Sequence, residues 1–108
     1  MKVLAIPFLP VHGITLTPSL ILVNSKHEGD AALIAHEHIH CQQMRRIGTF
    51  RFWMAYLFDR KFRMASELEA YRFQLTLQPH RVEEFARSLS TIYLLGISQD
   101  EARAALTD

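Results

Sequence analysis

Residues 36–40 read HEHIH, and His36, Glu37 and His40 in the HExxH arrangement limit the possible folds more than any other stretch of the chain. On a helix, positions four apart lie one turn above each other on the same face, so His36 and His40 can aim ring nitrogens at one metal ion. Glu37 sits about 100° round the axis, close enough to reach a water at that ion. A catalytic metal takes three protein ligands and keeps a fourth position open, and HExxH supplies only two. The chain must therefore fold so that another segment returns to this helix with the third.

The flanks agree with a helix. Asp30 is suited to cap it, Ala31, Ala32 and Leu33 open it, and Gly48 is placed to end it after Ile47. His38 falls some 200° round from His36 and is expected on the outer face. Cys41 lies about 100° off the metal face, which suits a buried or neutral residue rather than a ligand.

Upstream, residues 2–9 and 13–23 alternate as strands do, with a break near Thr17-Pro18-Ser19. The stretch Leu20–Asn24 either presents an edge on which an extended peptide could pair or has that edge covered within the domain. Downstream, Phe50, Trp53, Met54, Leu57 and Phe58 recur at helical spacing and predict a short amphipathic helix near 50–58. Six of the 12 Lys and Arg fall between Arg45 and Arg63, interleaved with these aromatics. That mixture could mark a membrane-surface helix or a nucleic-acid patch. The expectation here is the plainer one, an aromatic stripe in the core with a solvated basic flank, because Asp59 interrupts the charge run.

A long helix is predicted over about 64–78, with Leu68, Phe73, Leu75 and Leu77 apolar and Gln78-Pro79 as its breaker. Another runs to about 94 before Gly96. Ser98 and Glu101 form a capping box that opens a terminal helix to about Leu106. The expected fold class is α+β, a small N-terminal β-sheet followed by about four helices.

At 108 residues the chain is expected to be one domain spanning 1–108. A net charge of +1 exerts no global pull on nucleic acid or anionic lipid, so neither is expected as a partner. The single cysteine cannot form an internal disulfide. Pro7 and Pro10 interrupt the apolar N-terminal stretch, no small-residue cleavage site follows, and no segment approaches the ~20 apolar residues of a membrane span. A cytoplasmic location is the expectation.

His12, His27, His80, Cys41, Glu67, Glu69 and the remaining acids are the candidates for the third ligand. HEHIHCQQ followed downstream by SELEAY resembles the small gluzincin-type zincins, in which an HExxH helix pairs with a glutamate on a second helix in an ExxA context. The resemblance covers residues 13–78, with its specific part in 33–43 and 64–72. It implies a minimal zincin fold, with Glu67, followed by Ala70, as the third ligand to zinc. Gln43 matches an HExxHxxQ extension. Tyr71 stands where many gluzincins carry Asp. Apart from the resemblance, 26 residues between His40 and Glu67 leave room for a turn, a short helix and a return. Glu69 is the rival, although a Ser66–Glu69 capping box would give it a structural task.

The chemistry implied is peptide-bond hydrolysis, with Zn2+ as cofactor, a peptide or protein as substrate and Glu37 as general base. An oxyanion donor is also needed. Tyr71, four residues after Glu67 on the same helical face, is the first candidate, ahead of His80 and Tyr93. Tyr71 could equally be a core aromatic. The alternative function is a non-catalytic zincin-like domain in which zinc ties two helices together for a protein interaction.

Overall fold

Proline punctuates the N-terminal third. In the computed structural model, which describes residues 2–108, strand β1 (Lys2–Ile6) stops at Pro7, which has no N–H for a ladder. Strands β2 (Gly13–Thr17) and β3 (Leu20–Asn24) meet through the Pro18-Ser19 turn. The sheet order is β1-β3-β2, with β1 parallel and β2 antiparallel to β3. Leu20–Asn24 is therefore the central strand, with both edges covered within the domain rather than open to a peptide. Of the two edge strands, β1 and β2, the one beside the helices is β2, where Thr15 reaches Glu37. Ile21 and Val23 on β3 point to one face and bury with Leu33 and Cys41 of the first helix.

That helix, α1 (Ala31–Ile47), begins where Asp30 Oδ1 accepts the backbone N–H groups of Ala32 and Leu33 at 3.1 and 3.2 Å, a cap worth about 1 kcal/mol. It ends at Gly48, whose φ of 94° an L side chain would resist. Helix α2 (Thr49–Phe58) follows at once. Helix α3 (Arg60–Leu77) starts four residues before the expected position 64, because Asp59, which looked like an interruption of the basic run, caps it through Lys61 N and Phe62 N. Ser66 is consequently interior to α3 and caps nothing.

After a single helical turn at Pro79–Arg81 come α4 (Val82–Thr91) and α5 (Gln99–Thr107). The described residues form five α-helices, against the expected four or so. The Ser98–Glu101 capping box is formed in both directions. Helix α4 stops short of the expected residue 94. Leu94 and Gly96 take φ values of 55° and 69°, and the chain crosses back over α3. Arg63 holds it there, donating to Tyr93 O at 2.8 Å and Leu94 O at 3.3 Å, and also to Tyr56 O of α2 at 2.7 Å. The main apolar cluster sits between α3, α4 and α5, around Tyr71, Phe85, Ala86, Leu89, Leu95, Ala102 and Leu106.

Of the stripe read from the sequence on α2, only Trp53 turns inward. The inward residues of the helix are Phe52, Trp53 and Tyr56, and only Phe52 is fully buried. Phe50, Met54, Leu57 and Phe58, expected in the core, are exposed by 77, 44, 60 and 77%. The helix carries two apolar stripes on opposite sides, and hydrophobic spacing cannot say which one the protein covers. Among the described residues, no helix is long and apolar enough to cross a membrane.

Candidate metal centre

His36 and His40 project from α1 toward Glu67 on α3, and all three are buried. His36 Nε2 lies 3.1 Å from Glu67 Oε1, and His40 Nε2 lies 3.3 Å from the same carboxylate. One ligand atom from each of the three falls within 4.8 Å of the others, a cluster that could hold a metal ion. His38 is exposed, as its position on the helix required. His12 stacks on His27 with ring centroids 4.1 Å apart, and neither belongs to the cluster.

The tautomers follow from the neighbours. Gln43 Nε2 donates to Ser66 O at 3.1 Å and to Glu69 Oε1 at 2.7 Å, both of which can only accept. Its amide oxygen must therefore face His40 Nδ1, 2.9 Å away, and Nδ1 carries the hydrogen. His36 Nδ1 meets Gln74 Oε1 at 3.0 Å in the same way. When neutral, each imidazole therefore turns its Nε2 lone pair toward the Glu67 carboxylate. Three electron-rich groups cannot converge in a buried space unless a cation or a proton lies between them. The donor set fits a metal on this ground. Imidazole pairs with outer hydrogen-bond partners of this kind are the usual way of fixing ligand orientation.

In the metal-free protein a proton takes the place of that cation. Burial would pull His40 down, but the charge and hydrogen bond of Glu67 outweigh it and push the imidazole up to about 9. Burial would lift Glu67, yet the charge of His40 and hydrogen bonds from both imidazoles hold it far below the carboxylate range. Tyr56 Oη donates to Glu67 Oε2 at 2.5 Å, and burial together with the Glu67 charge keeps that phenol protonated. Glu69 does not join the cluster. It binds Gln43 and, at 3.0 Å, Arg46, so it acts on His40 through Gln43.

Glu37 faces β2. Thr15 Oγ1 donates within 2.9 Å of the Glu37 backbone carbonyl and 3.0 Å of its Oε1. Gly13 lies against Oε2, and a Cβ there would already stand 3.4 Å from it, so a longer side chain would crowd the carboxylate. A cavity of about 360 Å³ opens beside His36, Glu37, His40 and Glu67. One wall is β2 at Gly13–Thr15, another is α2 through Trp53, Tyr56 and Leu57, and the third is the chain at Ile92, Tyr93 and Leu94.

Tyr71 is not among the residues that line this cavity. Its ring packs edge-on against His36 at 4.3 Å, and its hydroxyl pairs with Tyr93 Oη at 2.7 Å. His80 is exposed and lines neither this cavity nor the smaller one beside it. The tyrosines that face the large cavity are Tyr56 and Tyr93. Sequence reasoning missed Tyr56, Gln74 and Thr15. Gln74 had a signal, since it stands seven residues after Glu67 and so shares its helical face. Thr15 had none, because only the sheet order brings it to Glu37.

No family model, curated protein or solved structure matches the chain.

Proposed function

We propose that the chain is a zinc-dependent metallopeptidase of the small gluzincin-like kind, hydrolysing peptide bonds in a peptide or protein substrate. The observation that carries this reading is the convergence of the two Nε2 atoms and the Glu67 carboxylate beside an open cavity, with Glu37 at its edge. A closed structural site would use four protein ligands, whereas three ligands and an accessible side suit catalysis. A zinc ion held by His36, His40 and Glu67 would polarise the substrate carbonyl and acidify a water there.

The rest is the work of this chain's own side chains. Thr15 fixes one oxygen of Glu37, which leaves Oε2 to take a proton from the attacking water and pass it to the departing amine. The edge strand β2 offers backbone along which an extended peptide can lie. Tyr71 can donate to Tyr93 Oη, freeing the Tyr93 proton for the oxyanion; Tyr71 then serves as a positioning residue.

Metal analysis of the purified protein, combined with a peptide-library cleavage screen, tests the proposal. Glu37→Gln is expected to leave bound zinc unchanged and to lower turnover by about 10²–10⁴-fold. Unchanged turnover would remove Glu37 from the mechanism. Stoichiometric zinc with no cleavage in the wild type would favour the non-catalytic interaction domain, and no bound metal would end both readings.

A further inference from the structure

Successive residues of α2 are turned by about 100°, so Leu57, Phe50, Met54 and Phe58 occupy one continuous arc roughly 100° wide. Phe52 and Tyr56 point the opposite way, into the protein. Phe50 and Phe58 stand about 12 Å apart along the axis, so the exposed stripe runs the length of the helix. We propose that this outward face of α2 docks on an anionic lipid surface, with the helix lying in the plane of the interface.

Charge identifies the occupant. Arg51 borders the stripe beside Phe58, and Arg60 and Lys61 follow directly after it. All three are exposed and take part in none of the ion pairs among the described residues. The one acid between them, Asp59, is engaged in capping α3. Exposed Phe and Leu flanked by free cations are the composition of an interfacial helix, and each such cation adds attraction to an anionic headgroup layer. The net charge of +1 conceals this, because it averages a local basic cluster against acids elsewhere. The apolar surface continues round the cavity mouth, where Leu57 on one side and Ile92 and Leu94 on the other are exposed by 60, 45 and 83%. Docking would turn that mouth toward the lipid. The proposal does not rest on the peptidase reading.

Co-sedimentation of the full chain with phosphatidylcholine vesicles, with and without phosphatidylglycerol, tests it. Binding is expected to the anionic vesicles, to weaken with added salt and to be much lower with phosphatidylcholine alone. The combined variant Phe50→Ser, Met54→Ser and Phe58→Ser is expected to abolish it. Arg51→Ser and Lys61→Ser are each expected to cost about fivefold in partitioning. These side chains are exposed, so circular dichroism should report an unchanged fold. Absence of binding to anionic vesicles, or binding that the triple variant retains, would overturn the proposal. So would a wild-type dimer that ignores lipid and is dissolved by the triple variant, since the face would then belong to a second copy.

Discussion

The seam between α1 and α3 and the outer face of α2 break the usual distribution of polarity in opposite directions. In the seam, His36, Glu37, His40, Gln43, Ser66, Glu67 and Gln74 are all buried. On α2, Phe50, Leu57 and Phe58 are largely in solvent. Polar groups inside are tolerated because each has a partner, and no buried side-chain polar atom among the described residues lacks one. Apolar groups outside gain nothing for the fold. Places where a sequence contradicts ordinary burial rules are where function is most often found. The two regions differ in what they ask of stability: the seam must be held together, and the α2 face is free to serve something else.

Substitutions can break or sharpen that contrast. The largest effect is expected in the seam. Glu67→Ala removes the one anion facing two imidazoles, and loss of a partner from a buried charged cluster costs about 3–5 kcal/mol. Metal binding should disappear with it, whereas Glu69→Ala should keep the metal. Equal metal content in the two variants, measured on purified protein, would mean that α3 contributes no ligand at Glu67. Gln74→Leu and Gln43→Leu, which release the imidazoles without touching a ligand, should weaken metal affinity by about 10–100-fold in competition titrations.

Acidity probes the same seam. In the metal-free protein His40 is raised from 6.5 to about 9. Its pairing with Glu67 therefore stabilises the fold fully below pH 6.5 and is lost as pH rises through about 9. Metal must displace the His40 proton, so affinity should climb about tenfold per pH unit up to that range and then level off. Calorimetry in buffers of different ionisation enthalpy would detect the released proton, and a flat profile between pH 6.5 and 9 would refute it. The smallest effect belongs to α2. Phe50→Ser and Phe58→Ser should shift unfolding free energy by no more than about 0.5 kcal/mol in urea titrations. A loss of several kcal/mol would show that this face is covered in solution.

The same contrast explains what the sequence disclosed. Local signals were accurate where they were read: Asp30 and Gly48 bound α1, and Ser98 with Glu101 opened α5, whereas the strand expected over 2–9 stops at Ile6, before Pro7. The HExxH spacing was accurate too, because the geometry of one helix fixes it. Glu67 was legible through its ExxA setting, and the structure places it against both imidazoles. What failed were relations between distant segments. Strand alternation marks a strand without its neighbours, so the parallel pairing of β1 with β3 and the edge position of β2 were hidden. Helix α2 is apolar on two sides, and apart from Trp53 periodicity selected the outer one. Tyr56 went unnoticed for that reason, since it lies on the stripe that was passed over. Tyr71 was placed on the correct face of α3, but its hydroxyl is committed to Tyr93.

Arg63 gives the cleft a fixed gape. Its guanidinium grips the last turn of α2 at Tyr56 O and, from other nitrogens, the backbone of Tyr93 and Leu94 on the facing wall. One rigid planar fork thus spaces both jaws, and an ammonium on a flexible stem could not hold that span. Whatever enters the cavity would be sorted by calibre at the entrance, with no hinge needed to admit it.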